Sequence, residues 1–254
     1  MKRIEDYNKI LPIVEVYTCV QSEGKLSGIP HILIRTSGCT LRCQFSDTDF
    51  CDSWYTSWHP DKGAWTWNKI IELYNSNPQI KHTMITGGSP TMHSDLLCFM
   101  TNELHSRGQY ITLETEGSKF VENCHIDLLS LSPKLSNSLP RIGSITPKGS
   151  KVEKRDLIRH EKYRKNYVAM YQWIQSSKDY QYKPVIGDKS QIKEIEELAE
   201  VLNIPIDKFW VMAAGGSRDV LESNLMWTLE LCIEKGWNFV PRFHILIFND
   251  QRGV

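Results

Sequence analysis

Three thiols fall within thirteen residues in the stretch Gly38-Cys39-Thr40-Leu41-Arg42-Cys43-Gln44-Phe45-Ser46-Asp47-Thr48-Asp49-Phe50-Cys51. Thiols this close are metal ligands or a redox pair, because thiolate is the soft donor that iron–sulfur clusters and zinc require. A cysteine at position 46 would complete the spacing C-x3-C-x2-C, and the chain has Ser46 there. A serine hydroxyl is far less acidic than a thiol and is a hard donor, so it would hold iron poorly.

Such a loop needs rigid elements behind it. Strand-like runs cover Ile13–Val20 and 31–36, the second ending in Arg35 and Thr36 just before the thiols. Further strands are expected at 82–86, 110–114, 126–131, 180–186, 209–212 and 239–248. Helices are expected from Thr66 to Asn75, from Ser94 to Gly108, from Arg155 to Ser176, after the cap Asp188, and from Ser217 to Lys235. Residues 52–66 and 135–154 read as loops. Strands alternating with helices predict an α/β fold with parallel pairing, here an open, partial β/α barrel over residues 1–254 as one domain. Polar and glycine residues recur just after the strands: Gln21 to Gly24, the thiol loop, Gly87-Gly88-Ser89-Pro90, Thr115-Glu116-Gly117 and Ser132-Pro133-Lys134. Ligands of parallel α/β folds bind at the carboxyl ends of strands, so these segments are expected around one mouth, with the C-terminal segment 237–254 completing it.

Composition narrows the class. Hydrophobic residues make up 41% and charged residues 24% of 254 residues, ordinary for a globular domain. Thirty basic residues balance thirty acidic ones, so no overall field draws the chain to nucleic acid or a membrane surface. The basic run from Lys148 to Lys165 reads as a solvated helix face. No apolar stretch reaches membrane-span length and Met1–Asp6 carries no signal-peptide core, which predicts a cytoplasmic protein. Seven cysteines, an odd number, argue for reduced thiols, with Cys19, Cys98, Cys124 and Cys232 as small core residues.

Eight segments in order resemble the 7-carboxy-7-deazaguanine synthase family of radical S-adenosylmethionine enzymes. They are Gln21-Ser22-Glu23-Gly24, Gly28-Ile29-Pro30, Ile34-Arg35, Gly38 to Thr48, Thr86 to Pro90, Glu114 to Gly117, Ser132 to Lys134 and Pro241-Arg242-Phe243-His244. The resemblance implies a 4Fe–4S cluster on three cysteines, S-adenosylmethionine on the fourth iron, and a 5′-deoxyadenosyl radical that abstracts hydrogen from 6-carboxy-tetrahydropterin. A magnesium-assisted ring contraction then expels ammonia. It further implies a flavodoxin-type electron donor and a homodimer.

Residue by residue, the resemblance makes Cys39 and Cys43 cluster ligands and Thr48, with Asp47 beside it, the magnesium site. Gly87, Gly88, Ser89, Glu114, Ser132 and Lys134 would meet the cofactor. Gln21, Glu23, Arg35, Gly88, Glu116 and His244 would bind the pterin, with Arg35, Glu116 and His244 closest to the chemistry. Arg35 would pair with the pterin carboxylate, and Gln21 and Glu116 with its aminopyrimidine edge.

Two positions depart from the family pattern: Ser46 stands for the third cysteine, and Ser89 for the glutamate of Thr-Gly-Gly-Glu-Pro. Three readings of the thiols stay open. Cys51 reaches in as the third ligand, which requires the loop to bulge. Alternatively the chain is a degenerate homologue without a stable cluster, kept as a pterin-binding or protein-interaction module. In the third, Cys39, Cys43, Cys51 and His59 hold a structural zinc ion.

Overall fold

The computed structural model describes residues 6–253, so Met1–Glu5 and Val254 of the expected segments lie outside the described residues. In chain order the elements are β1 (Ile10–Leu11), β2 (Ile13–Val20), β3 (Pro30–Thr36), α1 (Trp54–Ser57), β4 (Trp65–Thr66), α2 (Trp67–Ser76), β5 (His82–Gly87), α3 (Ser94–Ser106), β6 (Tyr110–Thr115) and β7 (Leu128–Leu131). Next come α4 (Lys154–Arg164), α5 (Tyr167–Ser176), β8 (Tyr180–Tyr182), β9 (Val185–Ile186), α6 (Ile192–Val201), β10 (Trp210–Ala213), α7 (Arg218–Lys235), β11 (Asn238–Val240) and α8 (Phe243–Phe248).

The central sheet runs β2-β3-β5-β6-β7-β8, and a second sheet runs β11-β10-β9. Every neighbouring pair in the two is parallel except β2 with β3, an antiparallel edge. A single parallel bridge, Tyr182 to Phe209, carries the arc from one sheet into the other, which gives the open barrel its curvature. Ile34, Ile85, Ile111, Leu113, Leu129 and Leu131 are wholly buried, as strands covered on both faces require.

The alternation of strands and helices agrees with the sequence pattern, and five details differ. The expected strand 180–186 is two strands, because Pro184 has no N–H to donate and the halves pair with different neighbours, β8 with β7 and β9 with β10. The expected helix 155–176 breaks at Lys165–Asn166, where the Asn166 side chain accepts from the Ala169 N–H and starts α5 afresh. The expected last strand stops at Val240 before Pro241. The apolar run Phe243–Phe248 then forms α8, since a short apolar run carries no periodicity that separates helix from strand. The strand expected at 126–131 begins only at Leu128. The expected loop 52–66 holds α1 and β4, and its Trp58 donates from Nε1 to the Cys43 carbonyl at 2.9 Å. Among the described residues no helix is long and apolar enough to cross a membrane.

Candidate active site

A cavity of about 600 Å³ opens at the carboxyl ends of the strands, within the range of small-molecule sites. Cys39, Cys43 and Cys51 all border it. Cys39 and Cys43 are buried with Leu41, and Cys51 packs against them. Burial pushes all three thiols above their ordinary range, Cys51 up to about 12.

The loop reaches this arrangement by an excursion. Gln44 and Phe50 form an antiparallel bridge, and the Phe45 and Ser46 amides donate to the Asp49 carbonyl. The Ser46 hydroxyl accepts from the Asp49 N–H at 2.9 Å and the Thr48 N–H at 3.3 Å, so it caps a turn rather than facing the cavity. Residues 46–50 thus leave and return, and the Cys51 amide donates to the Cys43 carbonyl at 3.2 Å. The chain then continues as Cys51-Asp52-Ser53, all three on the cavity wall. Thr48 is exposed at the tip of the excursion with Asp47, outside the cavity, so the expected magnesium threonine is displaced from where a ligand would sit. His59 is turned away as well, its Nε2 on the Thr146 hydroxyl at 2.8 Å, which removes it from a thiol–zinc set.

Gly87 and Gly88 bring the end of β5 against the thiol loop. A Cβ on Gly88 would stand 2.3 Å from the Gly38 carbonyl and 2.7 Å from that of Thr56, so only glycine permits this approach. Ser89 lies fully buried beneath, and its hydroxyl donates to Glu116 Oε1 at 2.7 Å. Thr40 and Ser118 hydroxyls reach the same oxygen at 2.7 and 2.5 Å. The carboxylate lacking at position 89 is therefore present in that corner as Glu116. On the neighbouring strand ends, Lys134 curls onto Ser132, donating to its carbonyl and hydroxyl at 2.9 Å each.

On the other side of the cavity stands a chain of charges. Lys183, 1% exposed, lies between Glu23 at 2.6 Å and Glu114 at 3.0 Å. Arg242 donates to Glu23 at 3.0 Å, to Asp52 at 3.1 Å and to the Gly215 carbonyl. Burial alone would raise the Glu23 carboxyl, but Lys183, Arg242 and His244 hold it well below the usual carboxylate range. Burial works against the Lys183 ammonium too, and Glu114 and Glu23 outweigh it. His244, from α8 rather than a strand, lies 3.9 Å from Glu23, and burial lowers its imidazole.

Arg35 borders the cavity, but its Nε already donates to Glu15 at 2.6 Å, leaving part of its five-donor fork for a ligand. Gln21 borders it too; its Nε2 lies 3.0 Å from the Met84 sulfur and its Oε1 accepts the Glu23 amide.

Sequence reasoning missed Lys183, Asp52 and Arg159. A lysine just before Pro184 at a strand end was the available signal for the first, and Arg242 lay inside the segment Pro241 to His244. The basic run is more than a solvated face: Arg159 donates to the Thr40 and Cys39 carbonyls at 2.9 and 3.0 Å and braces the thiol loop.

No protein-family model matches the chain. A 7-carboxy-7-deazaguanine synthase of Halobacterium salinarum is 34% identical over 246 residues, 94% of this chain and 91% of that one. Another, of Rhodopirellula baltica, is 33% identical over 96% of this chain and 89% of that one. The crystal structure of QueE from Escherichia coli shares the fold with a TM-score of 0.55 at 22% identity, covering 90% of this chain and 92% of that one. With two such relatives matched over almost their whole length, the chain belongs to the 7-carboxy-7-deazaguanine synthase family.

Proposed function

We propose that this chain is a 7-carboxy-7-deazaguanine synthase, turning 6-carboxy-tetrahydropterin into 7-carboxy-7-deazaguanine with loss of ammonia. The observation that carries the reading is the convergence of three thiols on the cavity that also holds the expected pterin residues. The donor set fits a 4Fe–4S cluster: three soft thiols, two buried and Cys51 partly so, with a glycine edge beside them where a cofactor's backbone-bound part can approach. When bound, the cluster and S-adenosylmethionine supply hydrogen-atom abstraction from the substrate. In this reading Cys39, Cys43 and Cys51 are the ligands, and Cys51-Asp52-Ser53 stands for the family's Cys-Asp-Thr after a five-residue insertion.

The chain's own groups do the rest. Gly87 and Gly88 leave room at the edge of the thiol loop, and Glu114, Ser132 and Lys134 meet the cofactor, whereas Ser89, wholly buried and off the cavity wall, only braces Glu116 from beneath. The Arg35 fork takes the pterin carboxylate, Glu116 accepts from the N–H groups of its aminopyrimidine edge, and the Gln21 amide meets the same edge. Glu23, kept ionised by Lys183 and Arg242, and His244, kept neutral by burial, offer a fixed acceptor and a proton-carrying imidazole at the mouth. Magnesium bound near Ser53, a flavodoxin-type donor, a homodimer and a cytoplasmic setting complete the reading and rest on the family resemblance. The pterin-binding-module alternative has no observation in its favour, since the third thiol is at hand.

Anaerobic reconstitution with iron and sulfide tests the proposal. The wild-type chain is expected to hold four irons per chain, with an EPR signal that S-adenosylmethionine perturbs, and to turn over 6-carboxy-tetrahydropterin. A wild-type chain that gains a cluster only after Ser46→Cys refutes it.

A further inference from the structure

At the opposite end of the sheet from the cavity, two imidazoles and a carboxylate converge. His105 lies in the last turn of α3, His125 in the connection after β6, and Asp127 directly before β7. One ligand atom from each falls within 4.8 Å of the others; the two rings lie face to face, with centroids 3.2 Å apart and planes 15° from parallel, so one ring has to turn about its Cβ–Cγ bond for both in-plane lone pairs to meet one ion. His125 Nε2 and Asp127 Oδ1 are 3.3 Å apart. Two ligands about 2.0–2.1 Å from a tetrahedral ion stand roughly that far from each other.

The groups are held where they are by the backbone. The other Asp127 oxygen accepts the Ile111 N–H at 2.9 Å, which aims Oδ1 toward the histidines. The His125 amide donates to the Thr101 hydroxyl at 3.3 Å. A cation already sits in the opening: Lys178 Nζ lies 2.8 Å from Asp127 Oδ1 and 3.0 Å from His125 Nε2. One positive charge therefore meets both ligand atoms at once, on a side chain that is 60% exposed and free to swing out.

We propose that His105, His125 and Asp127 form a second metal site, separate from the thiols, that takes a borderline divalent ion of the zinc type in exchange for the Lys178 ammonium. Two imidazoles select such an ion over magnesium or calcium, and one carboxylate offsets part of its charge. Bound there, the ion ties the end of α3 to the start of β7 and acts as a structural staple. It touches nothing in the cavity and stands whether or not the chain is a deazaguanine synthase.

Zinc titration by calorimetry tests the site in the full chain, in His105→Ala and in Lys178→Ala. His105 is exposed, so its replacement leaves the fold intact. Zinc held by the thiols is common to all three proteins and cancels in the comparison. Beyond any zinc held by the thiols, one further binding event is expected in the wild type, lost in His105→Ala and tightened about tenfold in Lys178→Ala, where a competing charge is gone. Equal stoichiometry and affinity in all three overturns the proposal, as does zinc binding to Lys178→Ala that survives the added replacement of His105.

Discussion

The two sides of the cavity are built on opposite principles. On the thiol side Cys39, Cys43 and Leu41 are buried together, and the charged groups beside them, Arg42, Arg159 and Glu116, bind backbone carbonyls and hydroxyls rather than one another. The far side is a row of alternating charges, Glu114–Lys183–Glu23–Arg242–Asp52, each paired with the next. The thiols are spare parts as far as stability goes, because a neutral thiol in an apolar pocket leaves little behind when removed. The charges are not, because deleting one strands its neighbours. Asp52 joins the two sides, following Cys51 in the chain and receiving Arg242 in space.

The sharpest way to break this comparison is at the thiols. Cys51→Ala is expected to lose the cluster and all turnover while unfolding at an unchanged denaturant midpoint, whereas Ser46→Ala keeps iron content and activity. Iron analysis and circular dichroism on the same samples read both. A stable cluster in Cys51→Ala sinks the assignment.

The second effect is on the charged side. Lys183→Met leaves Glu23 and Glu114 without their shared cation and is expected to destabilise by about 3–5 kcal/mol in urea unfolding. Adding Glu23→Gln is expected to recover part of that loss. A wild-type midpoint in Lys183→Met means the charges are not coupled.

A smaller effect is in the pH profile. The folded Glu23 carboxyl is depressed, so its contribution is complete above the ordinary carboxylate value of about 4.3 and is lost as pH falls below it toward the folded value. Glu23→Gln should therefore flatten the acid limb of stability against pH. An identical acid limb in wild type and variant removes Glu23 from the account.

The smallest effect is expected at the excursion tip. Thr48→Ala should leave turnover and its magnesium dependence unchanged, while Ser53→Ala should raise the magnesium concentration needed for half-maximal rate. The reverse result returns the metal to Thr48.

Much of the fold was legible because its signals are local. Strand, helix and cap residues succeed one another in a short-range pattern, and the polar strand ends mark the mouth without any knowledge of the turns between. Three of the five misread elements share a cause: Lys183-Pro184, Lys165-Asn166 and Pro241 are single-residue decisions inside runs that otherwise look continuous. The site was legible as residue types, through Cys39, Cys43, Glu23, Arg35, Glu116 and His244. It was not legible as contacts, since the Glu116 hydroxyl hub and the Lys183 ion row join residues far apart in the chain.

Ser46 and Cys51 divide what each level decides. The sequence alone determined that three thiols stand in one loop after a strand and that position 46 is not one of them. It could not say whether Cys51 arrives at the others, because spacing counts residues and not the path they take. Only the tertiary structure decided that, through the Gln44–Phe50 bridge that closes residues 46–50 on themselves and the Cys43 carbonyl that receives the Cys51 amide. An excursion closed at its base costs the loop no reach, so the third thiol meets the cavity as if the five residues were absent.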